Sequence, residues 1–375
     1  MDVSAIVMVV VVTALIFDFT NGFHDTANAM ATSIATGALR PRVAVAVAGV
    51  LNLAGAFLSV QVAKTISGGL VDEVRITPAV VFAGLVGAIL WNLLTWLLGL
   101  PSSSSHALFG GLIGATLAAA GPGAVHFTAV LGKVVLPALV SPLLAGVVAF
   151  AATRAAYRLT ARARAAKVNR AFKFGQVVSA STVALAHGTN DAQKTMGVIT
   201  LTLITAGLLV PGSAPPFWVV LAAGLTMALG TYVGGWRIIR TLGKRVSDIE
   251  TAQGFTAEST SGAIILASTH FGLPLSTTQV CTGAIFGAGA GRRFASVHWG
   301  VAGRLALVWL VTLPAAAILG ALASSIAIIG TVGVWAVALG GLVLGVGIYA
   351  ASRRDPVTAH NVNDVPAPPL AQTPA

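Results

Sequence analysis

Seven stretches of the chain are nearly continuous apolar runs, near 3–20, 43–63, 78–99, 128–152, 216–236, 299–320 and 330–351. As helices, these runs match the length that spans a hydrocarbon layer of about 30 Å. Four segments of mixed character lie between them, near 21–38, 100–120, 174–206 and 251–290, each with a polar cluster in apolar surroundings. The pattern predicts an all-α polytopic membrane protein with about 10–12 membrane segments.

Composition removes the soluble alternative. The 375 residues are 56% hydrophobic and only 9% charged, against about 25% charged in soluble domains. The mean hydropathy is +0.89. Forty-two glycines suit close helix contacts in lipid. Val3–Phe17 is apolar and Ala27-Asn28-Ala29 imitates a cleavage site, but only Asp2 precedes the run. Without a positive leader, it reads as the first membrane helix rather than a cleaved signal.

The net charge of +11 does not indicate a nucleic-acid partner, because the basic residues sit in the gaps between apolar runs, where the positive-inside rule expects them. Arg154–Lys173 holds seven basic residues and no acid. It reads as a cytoplasmic, helix-compatible loop. Arg40 and Arg42, Arg237 to Arg245, and Arg292 with Arg293 mark further cytoplasmic gaps. Counting crossings puts the N-terminus outside, and Arg353 and Arg354 put the C-terminus inside. The tail from Asp355 is rich in Pro and Ala and is expected to be disordered. The lone Cys281 allows no internal disulfide.

An internal repeat organises the chain. "NGFHDTANAM" (Asn21–Met30) echoes "HGTNDAQKTM" (His187–Met196), and "LPSSSSHALFG" (Leu100–Gly110) echoes "LPLSTTQVCTG" (Leu273–Gly283). The two pairs recur in the same order, 166 and 173 residues apart. By the loop count the two copies run in opposite senses, giving two inverted-topology repeats, the usual build of a secondary transporter. The expected divisions are an N-terminal repeat at 1–153, a basic cytoplasmic loop at 154–173, a C-terminal repeat at 174–352 and a disordered tail at 353–375.

Four acids fall at membrane depth: Asp18, Asp25, Asp191 and Glu258. An intramembrane carboxylate costs at least roughly 2.5–3.5 kcal/mol, which makes each a functional candidate. Asn21-Gly22 and Gly188-Thr189-Asn190 flank Asp25 and Asp191, so both helices are expected to break there and expose oxygens to a cation or proton. Asn28 and Asn190 would add neutral oxygens. Pro101 and Pro274 each open a helix whose first turn carries hydroxyls: Ser103, Ser104 and Ser105 in one, Ser276, Thr277 and Thr278 in the other. Free amides, the positive dipole end and hydroxyls together suit a small tetrahedral oxyanion. No arginine accompanies them, so charge balance falls to cations that travel with the anion. His24, His106, His187 and His270 lie near these clusters in no zinc-signature spacing, and no metal site is expected. Lys194 is placed to pair with Asp191 or to reach an aqueous vestibule. Ser103–Ser105 beside His106 makes no catalytic dyad, and the second copy has Gln279 there, so an intramembrane enzyme is disfavoured.

At these residues the chain resembles the inorganic phosphate transporter (PiT) family. Thr20–Ile34 and Ala186–Ile199 look like its paired signatures, and the Pro–hydroxyl pairs at Pro101 and Pro274 like its other hallmark. The likeness covers all but the tail after Arg354. It implies a carrier of inverted repeats with broken helices and re-entrant hairpins in a bacterial inner (plasma) membrane, in contact with lipid, with a homodimer left open. It implies phosphate at Ser103, Ser104, Ser105, Ser276, Thr277 and Thr278, and a coupling cation at Asp25, Asn28, Asn190, Asp191 and Glu258. Asn52 stands where members taken to be sodium-coupled often carry Glu. Asn there resembles the low-affinity bacterial carriers, which implies proton coupling and leaves a metal-phosphate complex open as cargo. Sodium-coupled phosphate or sulfate symport is the alternative.

Overall fold

The computed structural model describes residues 3–292 and 297–364. The chain folds as α1 (Val3–Ala35), α2 (Pro41–Ala56), α3 (Gln61–Gly69), α4 (Pro78–Leu97) and α5 (Ser104–Ala120). A short α6 (Phe127–Val130) passes through a π-turn (Leu131–Val135) into α7 (Leu136–Thr160). The second half repeats the succession: α8 (Ala165–Thr205), α9 (Phe217–Val233), α10 (Trp236–Arg240) with a π-turn (Thr241–Arg245), α11 (Thr251–His270), α12 (Thr277–Gly291) and α13 (Trp299–Ala327). A last helix, α14 (Thr331–Ser352), has no counterpart in the first half.

Among the described residues, five helices are long and apolar enough to cross a membrane: α1, α4, the run Phe127–Thr160, α13 and α14. Two bent pairs, α2 with α3 and α9 with α10, raise the number to seven. These are the seven predicted runs. The bends are 69° and 59°, and they are the broken helices of the fold. Their position corrects the sequence reading. α1 and α8 pass unbroken through Asp25 and Asp191. Glycine there serves close approach instead. A side chain at Gly22 would strike the Met227 carbonyl of α9, and one at Gly188 would strike the Asn52 carbonyl of α2. A residue that costs about 1 kcal/mol in helix propensity is retained because it lets two backbones touch.

The two halves interlock through matching contacts. Gly55 of α2 abuts the Leu185 carbonyl of α8, and Gly230 of α9 abuts the Phe19 carbonyl of α1. Gly110 and Gly114 of α5 meet Leu313 and Ala317 of α13, while Gly283 and Gly287 of α12 meet Pro142 and Gly146 of α7. Within each set the equivalent residues keep one offset: 166 for α1 and α8, 175 for α2 and α9, 173 for α5 and α12, 171 for α7 and α13. These small-residue stripes of each half therefore seat against the other half.

The basic residues gather at one end. There Lys244 donates to the Ala35 carbonyl, Arg237 to those of Leu97 and Ser352, and Arg292 pairs with Glu250 at 2.7 Å. The predicted basic loop is the end of α7, a turn at 161–164 and the start of α8. The tail expected to be disordered is ordered in its described part. Val362 is buried, Arg240 donates to the Asn361 carbonyl at 2.8 Å, and Arg42 meets His360 at 3.1 Å. Arg237 also holds the Asp355 carbonyl. Composition alone missed these main-chain acceptors. Residues 365–375 lie outside the described part, as does Arg293.

Candidate functional site

Two helical hairpins reverse inside the bundle. α4 ends in a left-handed glycine, Gly99 (φ +64°), and α11 in Gly272 (φ +66°). Leu100 N donates to Thr95 O at 2.9 Å, and Leu273 N to Ser268 O at 2.9 Å. Glycine is required because only it enters that region without strain. From each turn a short extended stretch leads back to the centre, where α5 and α12 begin. At 17 and 15 residues, these helices are about 25 and 22 Å long and cannot cross alone. Ser103 and Ser276 cap them, accepting from His106 N at 3.1 Å and Gln279 N at 3.3 Å. Their oxygens hold the helix starts in place, and the next residues, Ser104, Ser105, Thr277 and Thr278, face the interior cluster.

The cluster is built on two carboxylates, one from each half. Ser104 Oγ donates to Asp25 Oδ2 at 2.7 Å, and Thr278 Oγ1 to Asp25 Oδ1 at 3.3 Å. Thr277 Oγ1 reaches Asp191 Oδ2 at 3.4 Å. Ser105 Oγ donates to the Leu275 carbonyl of the opposite hairpin at 3.2 Å. Asn28 Nδ2 bonds Thr278 Oγ1 at 3.0 Å, while Asn190 Nδ2 bonds Thr269 Oγ1 at 2.8 Å and Leu273 O at 3.3 Å. The amide oxygens of Asn28 and Asn190 are buried without a partner and remain as free acceptors. All these side chains are buried.

Two residues weigh more than the sequence indicated. Lys194 Nζ lies 2.7 Å from Asp191 Oδ1, 2.5 Å from Ser105 Oγ and 3.0 Å from the Leu275 carbonyl. The hydroxyl site, read as free of arginine, thus has the Lys194 ammonium at its edge; three residues after Asp191, Lys194 shares a helix face with it. His187 sits centrally. Its Nδ1 meets Asn52 Oδ1 at 3.2 Å, and its Nε2 stands 3.8 Å from Asp25 Oδ2 and 3.6 Å from Asp191 Oδ2. Among the described residues Asp25, His187 and Asp191 form a group able to surround one cation. His187 lies four residues before Asp191, one helical turn away, and that spacing was the available signal. His24 Nδ1 bonds Asp25 Oδ1 at 2.7 Å.

Glu258 stands apart from this group. Its carboxylate accepts from Thr32 at 2.5 Å, Ser179 at 2.6 Å and Gln176 at 3.2 Å. Thr32 is two turns along α1 from Asp25, about 10 Å toward the basic end. Asp18 lies two turns the other way and accepts from Thr195 at 2.8 Å. Neither joins the central cluster by a direct hydrogen bond among the described residues.

The two helix starts, their four inward hydroxyls and the Asp25–His187–Asp191 group all lie within the stretch that matches the phosphate transporter family profile, residues 21–320. The chain belongs to the phosphate transporter family. A probable low-affinity inorganic phosphate transporter of Mycobacterium bovis is 55% identical over 368 residues, covering 96% of this chain and 87% of the relative. One from Bacillus subtilis, described in the same words, is 44% identical over 326 residues, covering 86% of this chain and 98% of its own length. A solved structure titled "The sodium-dependent phosphate transporter" shares the fold, with a TM-score of 0.76 at 24% identity over 89% of this chain and 99% of that one. As a member of a transporter family, this chain is a multi-pass membrane protein and not an enzyme. Phosphate is the family's substrate.

Proposed function

We propose that the protein imports inorganic phosphate through the bacterial inner membrane by alternating access, driven by protons. The observation that carries this reading is the meeting of both hairpin starts on Asp25 and Asp191. Phosphate would take the place of the hydroxyl–carboxylate bonds, receiving Ser104, Ser105, Thr277 and Thr278 as donors with the first-turn amides of α5 and α12. Ser103 and Ser276 would hold those starts in register. The reciprocal packing of the two halves supports an inverted repeat whose twofold axis passes between the starts.

Charge supplies the coupling argument. Asp25 and Asp191 leave one uncompensated negative charge beside Lys194. An anion entering this site needs an added cation, or both meet repulsion in a low dielectric. The slot between His187 Nε2, Asp25 and Asp191 is where that charge would sit. With Nδ1 donating to Asn52, Nε2 is left to take up a proton. A glutamate in place of Asn52 would bring a charged carboxylate where Asn52 offers a neutral amide oxygen, and a hard cation is held better by the carboxylate. Sodium coupling therefore ranks second, and a metal-phosphate cargo would place its metal in the same slot. Asn28 and Asn190 would supply oxygens there, and Glu258 would pass protons toward the basic, cytoplasmic end.

Reconstituted protein is expected to accumulate labelled phosphate under an inward pH gradient and not under a sodium gradient alone. Accumulation with sodium and none with protons would replace the coupling ion, and preference for sulfate at equal concentration would replace the substrate.

A further inference from the structure

Away from the basic end, the described residues carry only three cations on the opposite face: Lys64, Arg75 and Lys133. Arg75 is spoken for by Asp72 at 3.3 Å. The other two share one depression of about 380 Å³, lined also by Thr65, Gly69, His270 and Gly272. Neither makes an ion pair among the described residues. One carboxylate, Glu73, approaches the rim at Gly68. Lys133 belongs to the π-turn Leu131–Val135, a rare geometry common at functional positions. Its ammonium lies over Gly69, where an added Cβ would be 3.4 Å away. That is the C-terminal end of α3, whose dipole favours a cation.

The floor of this depression is the turn of the second hairpin. Thr65 Oγ1 donates to Gly272 O at 2.9 Å. The next carbonyl, Leu273 O, accepts from Asn190 at 3.3 Å, the residue beside Asp191. Ser276 follows Gly272 by four positions, so depression and hairpin tip are at most about 14 Å apart along the chain. We infer that Lys64 and Lys133 form an outer anion-collecting site that captures phosphate before it passes to the hairpin tips. This rests on the phosphate-import reading. A face otherwise poor in cations focuses its field at this one recess, which raises local anion concentration and the rate of capture. Lys64 is exposed and Lys133 half-buried, so the site would bind weakly and release readily.

The test is initial-rate uptake of labelled phosphate by reconstituted Lys64→Gln/Lys133→Gln. The expected result is a KM raised by about threefold to tenfold at low ionic strength, with Vmax within about twofold of the parent. The difference should shrink below about twofold at high salt, where the Debye length falls to about 3 Å. Lys64→Arg/Lys133→Arg should restore KM, and Arg75→Gln should leave it unchanged. An unchanged KM in the double Gln variant, or a fall in Vmax alone, overturns the collecting site. Absence of uptake by the parent protein would instead overturn the import reading.

Discussion

Lys194 and Ser105 meet at 2.5 Å across the boundary between the two halves, joining the second Asp helix to the first hairpin. The same ammonium pairs with Asp191, so one buried cation ties α8, α5 and the Leu275 carbonyl together. Removing one partner of such a pair leaves a bare charge in the interior. Lys194→Met is expected to lower stability by about 3–5 kcal/mol. Lys194→Met/Asp191→Asn should recover most of that loss without recovering transport. Thermal unfolding in detergent, with uptake measured in parallel, separates the two effects. Equal stability of the single and double variants would refute the pairing.

Neighbouring serines should behave differently. Ser103 caps α5, so Ser103→Ala should cost about 1 kcal/mol of stability with a modest loss of uptake. Ser104 faces Asp25 and would donate to the anion. Ser104→Ala removes a buried donor to Asp25, so it should cost about 1–3 kcal/mol of stability and reduce kcat/KM by at least tenfold, a far larger loss of uptake than Ser103→Ala. The check is a paired series of melting curves and uptake kinetics.

His187 separates binding from coupling. In His187→Gln, phosphate–phosphate exchange across the membrane should persist, because the hairpin donors remain. Accumulation driven by a pH gradient should disappear. Retained pH-driven accumulation would show that the proton is carried elsewhere, with Glu258 the next candidate.

Glycines at crossing points should be far less tolerant than glycines that face open space. Gly114 abuts Ala317 and Gly287 abuts Gly146, while nothing lies within 4 Å of a Cβ at Gly132. Gly114→Val and Gly287→Val should each cost about 1–3 kcal/mol or prevent assembly. Gly132→Ala should be close to neutral. Folded yield and melting temperature decide it.

Much of the architecture could be read from particular residues. The apolar runs located all seven candidate spans, because the length and hydropathy of a crossing are set by lipid rather than by neighbours. Pro101 and Pro274 pointed to both hairpins, but they stand two residues before the N-caps Ser103 and Ser276, in the extended stretch and not in the first helical turn. The expected breaks at Asp25 and Asp191 were misplaced, because Gly22 and Gly188 look alike whether a glycine bends a helix or lets another helix approach. Only the partner decides, and the partners, Met227 and Asn52, are 205 and 136 residues away. The first part of the tail, to Asp364, escaped the composition reading for a similar reason: it is low in apolar residues, yet Arg237 and Arg240 hold its carbonyls at Asp355 and Asn361.

By itself the sequence determined the class of protein, its repeated motifs and the residue types at the core of the site, because periodicity, hydropathy and helix-start chemistry are local properties. The tertiary structure alone decided that His187 faces both carboxylates, that Lys194 joins the hydroxyl site, and that Glu258 stands two turns away. Those are relations between distant segments, fixed by how small-residue stripes of one half seat in the other, and no local pattern encodes the distance between them.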